Sequence, residues 1–375
     1  TAGRDKKLSP VHAKVLELGG QMGAYNGWER ANWFAKAGDD TSEEATQTWD
    51  RNGPWAPRIK EEVEAVRDSV GVLDLPGFSR FNLSGEGAAE YLRGMISGGL
   101  PKVGRMNLAY FPDSRGSILT EMSIMRHDED FFTLITAAVA QWHDFDVLNK
   151  NLPAGLTLTD HTDEYSTLIV SGPKSRALFE AMGTEADLTA GWLSTQPAKV
   201  AGINCALARV SFAGELGWEI HAANANMPAI YDAVLAAGAV PFGMWALNSL
   251  RMEKGYRAWK GDLSTDYTAL QGGLERFIKF DKPQDFPGKA ALLSEQQRGT
   301  DKRFVTLIVD AGDCDAPYMS TLWHDGQVVG ETTSGAWGYR IGASVALGML
   351  RTDLVVPGTE IEVEIYGERY RAVVQ

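Results

Sequence analysis

Apolar and polar positions alternate in short runs along most of the chain, and the runs predict paired strands with helices laid against them. Within residues 59–70, Val63, Val66 and Val70 fall at helical spacing with Glu and Arg between them. Residues 72–75 and 79–83 read as strands about a Pro76, Gly77 turn, with Ser84 as the cap of a helix running to Leu92. Strands follow at 106–111, 117–125 and 131–136, joined by the polar hairpin connections 113–116 and 127–130, and then a helix at 139–149. The pattern returns with strands at 156–159 and 166–170, a Gly172, Pro173 turn and a helix at 174–182. Residues 201–240 give strand, bend, strand and helix once more. Strand pairs backed by helices predict an α+β fold rather than a parallel doubly wound sheet.

Past a linker at 283–288, short strands at 303–309, 321–324, 328–332, 344–350 and 360–365 predict an all-β barrel or sandwich. Residues 1–60 are polar, with a helical patch at 9–18 and an aromatic segment at 25–34 of no clear period, and are expected to wrap as an ordered arm. The division expected is therefore an arm at 1–60, a body at 61–282 and a β domain at 289–375. A chain of 375 residues, 44% apolar and 23% charged, fits a globular protein of two or three domains. A net charge of −13 without any basic run argues against nucleic-acid binding. No apolar run is long enough to cross a membrane and no signal-peptide pattern is present. Cys205 and Cys314 lack metal or disulfide spacing, which points to a reduced compartment. The chain opens on Thr, as a processed product or one region of a longer polypeptide would.

Glycine-rich phosphate loops, dinucleotide fingerprints and serine-nucleophile elbows are absent, and the six His are scattered without metal spacing. The stretch from Ser211 to Ile220 alternates Phe212, Leu216, Trp218 and Ile220 with small or acidic residues, as a strand broken by a tight glycine turn would. Gly214 and Gly217 permit φ > 0 or close approach of another group. Glu215 and Glu219 then stand as solvated acids of a β-bulge, or as carboxylates beside aromatic rings, suited to a flat heterocycle that donates from a ring N–H and an exocyclic amine. Glu121 lies in an otherwise apolar hairpin strand, where an acid is costly unless satisfied. It is either the outward position of a half-exposed strand or a carboxylate that steadies a reacting amine. Arg251 and Arg257, on a short helix anchored by Leu250, Met252 and Tyr256, are the cations available to a carboxylate-bearing ligand, unless Arg251 forms a surface pair with Glu253.

Several strings occur in order over nearly all of the chain: Gly27-Trp28-Glu29-Arg30 with Trp33-Phe34, residues 65–74, Gly214-Glu215-Leu216-Gly217-Trp218-Glu219, residues 246–254 with Arg257-Ala258-Trp259, residues 286–292, and Thr332-Thr333-Ser334-Gly335. Together they resemble the tetrahydrofolate-binding aminomethyltransferase family that includes the glycine cleavage T-protein. The likeness is greatest to the folate-binding C-terminal region of dimethylglycine and sarcosine dehydrogenases.

The resemblance implies a three-part, clover-like fold around a central hole that holds tetrahydrofolate, with a C-terminal β-barrel domain. By position, Glu219 would bind the pterin edge, Phe212 would supply a stacking face where the family often has Tyr, and Arg251 and Trp259 would lie near the folate. Glu121 falls where the family usually has the Asp that positions the transferred carbon, and Ala137 where T-proteins have Asn. In the dehydrogenases an FAD domain precedes this region, so no FAD site is implied here. The implied substrate is a small methylated amine, or its iminium or formaldehyde product handed over by a flavoprotein oxidase domain or subunit, giving 5,10-methylenetetrahydrofolate. Redox-neutral demethylation of a sulfonium or ether donor to 5-methyltetrahydrofolate, and a noncatalytic folate-binding module, are the alternatives. The expected location is the cytoplasm, or the mitochondrial matrix in a eukaryote.

Overall fold

The computed structural model describes residues 3–375. Two sheets of like topology form the body. In the first, the strands lie in the order Arg105–Pro112, Ile118–Asp128, Phe131–Thr136, Ser79–Ser84 and Thr157–Asp160, all antiparallel. In the second, the order is Thr195–Val200, Ile203–Ala208, Gly217–Ala223, Tyr165–Ser171 and Gly71–Asp74, with the short Val240–Pro241 parallel at the edge. Each unit starts with one strand and a helix (Ala88–Met95, or Ser175–Ala181), continues through a three-strand meander, and ends in a second helix (Gln141–Asn149, or Met227–Ala236). The last meander strand pairs back onto the starting strand in both. The pattern that recurs in the sequence is thus one topology used twice.

Strand alternation decides what each sheet face carries. Phe81, Leu83, Ala109, Phe111, Met122 and Leu134 point from the first sheet into a core shared with its helices. Val72, Val170, Leu207, Trp218 and Ile220 do the same in the second. The opposite faces turn toward each other, since Met106, Met125 and Ile135 of the first sheet share one small cluster with Ala208 of the second. A fourth cluster packs the loop residues Leu263, Leu270 and Leu274 under Tyr110 and Ile118. The C-terminal strands close into a six-stranded barrel, Lys302–Val309 pairing with both Ala343–Arg351 and Glu368–Val374.

Several expectations need correction. The aromatic segment at 25–34 is a β-hairpin, Gly20–Tyr25 against Trp28–Phe34. Val11, Val15, Ala31 and Phe34 are built into the second sheet's core, so residues 11–34 are part of the body instead of a wrapping arm. Ser84 ends a strand and caps nothing; the Asp130 carboxylate accepts from the N–H groups of Gly87 and Ala89 at that helix start. The strands Thr195–Val200 and Glu368–Val374 were not anticipated, the first because Pro197 and Lys199 fill its outer positions, the second because Arg369 and Arg371 do so in its case.

Candidate functional site

The segment 211–216 is a turn, and strand pairing begins only at Gly217. Ser211 Oγ accepts from the Gly214 N–H at 3.1 Å. Gly214 has φ of 81°, where a side chain is strained and a Cβ would lie 2.5 Å from the Lys254 side chain. Gly217 has ordinary strand geometry, but a Cβ there would meet the Val170 carbonyl oxygen at 2.9 Å. The turn separates the two acids. Glu215 pairs with Arg340 of the barrel at 3.0 Å, whereas Glu219 stands on the inner face of the second sheet. Trp218, on the other face, is core and packs edge-on against Phe179.

Glu219 is part of a polar chain that crosses between the sheets. Its Oε2 lies 3.0 Å from His221 Nε2, two residues along the same strand face. His221 Nδ1 lies 2.7 Å from a terminal nitrogen of Arg80, on the first sheet, and 3.0 Å from Thr167 Oγ1. Burial pushes the His221 pKa down and brings Arg80 down to about 10.

Glu121 occupies the inner face of the first sheet, directly opposite Tyr110 in register. Burial raises its carboxyl to about 7, against the opposing pull of the Tyr110 hydroxyl and the Arg257 charge. The Tyr110 pKa rises for the same reason, burial first and the Glu121 charge second. Arg257 is half-buried and lies over the Phe304 ring at 4.1 Å. Trp259 packs beside Tyr110 and Leu263. Arg257 Nε and Trp259 Nε1 are buried yet have no hydrogen-bond partner among the described residues, a costly state that a bound polar group would relieve. Arg80 and Glu121 are two strands and two residues apart in one sheet, so their Cα atoms are roughly 12 Å apart by sheet geometry.

Phe212 lies in the turn and stacks on Tyr256, centroids 6.2 Å apart and planes at 23°. Arg251 is not an available cation. Its helix, Met244–Glu253, buries it to 4% exposure, and Tyr256 lies beyond the helix end. The partners are Asn248 Oδ1 at 2.9 and 2.7 Å, the Tyr256 carbonyl at 3.0 Å, Asp262 Oδ2 at 2.5 Å and Ser334 Oγ at 2.9 Å. Those contacts use all five N–H groups of a guanidinium. The expected alternative also fails, since Glu253 instead accepts from the backbone N–H groups of Arg340 and Ile341.

The structure therefore sets Glu121 and Trp259 each beside Tyr110, puts Glu219 on the facing sheet, holds Phe212 at the turn and gives Arg251 a full set of internal partners. Tyr110, Arg80 and His221 went unnoticed in the sequence. Their signal was positional: Tyr110 across a hairpin from Glu121, and His221 two residues after Glu219 on one strand face. A separate cavity of about 330 Å³ between the 46–55 segment, the Met244–Glu253 helix and the barrel is lined by Trp55, Trp245, Trp337 and Tyr339 and by none of the anticipated residues. Arg51 lies over Trp337 at 4.2 Å there and pairs with Asp315. Among the described residues no His, Cys, Asp and Glu cluster could hold a metal, and no helix is long and apolar enough to cross a membrane.

Comparison with known proteins matches residues 11–282 to the GCVT N-terminal domain and residues 302–375 to the glycine cleavage T-protein C-terminal barrel domain. Mitochondrial dimethylglycine dehydrogenase of Rattus norvegicus is 33% identical over 382 residues, covering 100% of this chain and 44% of the relative. The 4-methylaminobutanoate oxidase (formaldehyde-forming) of Paenarthrobacter nicotinovorans is 31% identical, covering 99% of this chain and 46% of the relative. The chain thus spans less than half the length of these relatives. The aminomethyltransferase of Listeria welshimeri is 26% identical over 97% of this chain and 95% of its own. In fold, the aminomethyltransferase T of the Bartonella henselae glycine cleavage system superposes with a TM-score of 0.86 at 22% identity, covering 98% and 96% of the two chains.

Proposed function

Because the chain belongs to the glycine cleavage T-protein (GCVT) family of aminomethyltransferases, we propose that it transfers a one-carbon unit to tetrahydrofolate. The carbon comes from a methylated amine oxidised elsewhere, as an iminium or formaldehyde, and the product is 5,10-methylenetetrahydrofolate. Two relatives bear the names of enzymes that oxidise methylated amines, one of them formaldehyde-forming, and in both the matching stretch is less than half of the protein. A flavoprotein oxidase domain or subunit as the source of the carbon fits that arrangement.

The observation that carries the reading is the pair of carboxylates on facing sheets, one in a hydrogen-bonded chain and one at a pKa of about 7. Tetrahydrofolate supplies the two nitrogens between which the carbon is carried. Glu219 accepts from the N–H edge of the pterin, as a charged hydrogen-bond acceptor. Glu121, near neutrality, takes a proton from a reacting amine and returns it, and its negative form steadies the cation that develops. The orphaned N–H groups of Arg257 and Trp259 find acceptors on the folate. Phe212 with Tyr256 gives a flat wall beside them.

Mass spectrometry of the folate product tests this, with tetrahydrofolate and a panel of formaldehyde, N-methyl amines with and without a flavoprotein oxidase, and sulfonium donors. Methylene product from formaldehyde or from the coupled oxidase is expected. Methyl product formed by the protein alone from a sulfonium donor would replace this reading with direct demethylation. Binding of tetrahydrofolate without turnover of any donor would leave a noncatalytic module.

A further inference from the structure

The chain of contacts behind Glu219 fixes more than its position. A guanidinium only donates hydrogen bonds, so the His221 Nδ1 that faces Arg80 at 2.7 Å is the bare nitrogen of a neutral ring. The single ring proton is then on Nε2, directed at Glu219 Oε2 at 3.0 Å. His221 is 2% exposed, and Arg80 is steadied by Tyr165, whose ring centroid lies 5.1 Å from the guanidinium carbon. Among the described residues nothing but His221 donates to the Glu219 carboxylate.

Resting on the proposed role of Glu219 as the pterin-edge acceptor, we propose that Arg80 and His221 are its positioning residues. Arg80 sets the tautomer of His221, and the His221 Nε2–H holds Glu219 oriented. Oε1 is left open to the N–H donors of a 2-amino-4-oxo heterocycle. The device spans both sheets, so it also registers whether their inner faces are correctly apposed.

The ionisable groups around the ring are consistent with a locked tautomer. On its own strand His221 faces Glu219, from the neighbouring strand Thr167, and from the first sheet Arg80 and, more distantly, His127, whose own pKa is lowered by burial and by the Arg80 charge. Protonating Nδ1 would set its N–H against the Arg80 guanidinium, donor facing donor. The wild-type affinity for tetrahydrofolate is therefore flat as pH falls through about 6.5, the ordinary histidine value. In Arg80→Met the nitrogen is freed, and a histidine titration enters the binding profile.

The direct test needs no variant. In ¹⁵N-histidine-labelled protein, the His221 ring should show the Nε2-protonated neutral tautomer throughout about pH 8 to 5.5. An Nδ1-protonated or imidazolium signal in that range would overturn the proposal. Calorimetry with tetrahydrofolate adds the functional arm. His221→Leu should weaken binding about tenfold, the worth of one charged hydrogen bond. His221→Gln, whose amide N–H can take the place of Nε2–H, should remain within about twofold of wild type. Equal losses in the two variants would show that His221 only fills space. Should Glu219→Gln leave binding unchanged while the tautomer is as stated, the pterin reading of Glu219 fails and the positioning geometry survives without that ligand.

Discussion

Replacing Arg251 by Met separates a structural role from a ligand-binding one. Asp262 is fully buried and, besides Arg251, accepts from the Ala258 N–H at 2.8 Å, Thr333 Oγ1 at 2.6 Å and Ser334 Oγ at 2.7 Å. Removing the guanidinium leaves that carboxylate buried with neutral donors alone, and frees Asn248 Oδ1, the Tyr256 carbonyl and Ser334 from their charged partner. Breaking one side of a buried ion pair costs about 3–5 kcal/mol. Met fills the space of the stem, so the loss measured is chiefly that of the uncompensated charge. Urea unfolding followed by tryptophan fluorescence gives the stability change, and Asp262→Asn with the double variant completes a thermodynamic cycle in which the pair should couple by more than about 1 kcal/mol. Calorimetry on the folded variant should show tetrahydrofolate bound only modestly more weakly, through loosening of the 256–263 loop that carries Arg257 and Trp259. A variant as stable as wild type that has lost folate affinity would refute the reasoning and return Arg251 to the ligand.

Glu121→Gln should slow one-carbon transfer by about 10²–10⁴ while tetrahydrofolate affinity changes little, and stopped-flow turnover against calorimetry separates the two effects. The wild-type rate should rise with the ionised fraction of a carboxyl near 7 and level off above it; the same step persisting in the Glu121→Gln variant would assign the ionisation to another group. Glu219→Gln should weaken tetrahydrofolate binding more than Glu121→Gln does, and the reverse order would sink both assignments. Burial raises Glu62 to about 8 and Asp74 to about 7. Carboxyls raised on folding give stability that is full below their unfolded values and lost as pH rises to the folded ones, so urea midpoints should fall between about pH 4 and 8 and level off above. Glu62→Gln should flatten that fall, and an unchanged slope would contradict the assignment to Glu62.

The strand and helix order of the body was legible because the helix-covered face of each sheet takes large apolar residues at every second position, as Phe81 and Leu83, Ala109 and Phe111, or Phe132 and Leu134 do. Elements with both faces committed elsewhere were harder to see. The 25–34 hairpin places Trp28, Glu29, Ala31, Trp33 and Phe34 all in buried positions, which erases the period of two. Site residues followed the same logic. Glu121 and Glu219 stood out as acids within apolar strands, whereas Arg251 was misjudged because its partners, Asp262 and Ser334, are 11 and 83 residues away in sequence. No local pattern announces a long-range network. Tyr110 and His221 looked like ordinary strand residues until strand register set them beside an acid.

The barrel, which supplies none of the anticipated site residues, reaches the site through a buried polar knot. Thr333 and Ser334 lie at a register shift in the barrel strand Gln327–Gly338, where the irregularity lets both hydroxyls reach the same Asp262 oxygen. Asp262 in turn clamps the Ala258 N–H and Arg251, and the chain between Arg251 and Asp262 bears Tyr256, Arg257 and Trp259. The residues facing Glu121 are therefore set by the barrel although they are not part of it. Glu215 makes a second tie from the turn that precedes Glu219, through Arg340. That tie is partly exposed and contributes little, on the order of 1 kcal/mol or less, whereas the knot at Asp262 is buried and sensitive to any loss. Disturbing the barrel at Thr333 should then shift the geometry around Glu121 before it shifts that around Glu219.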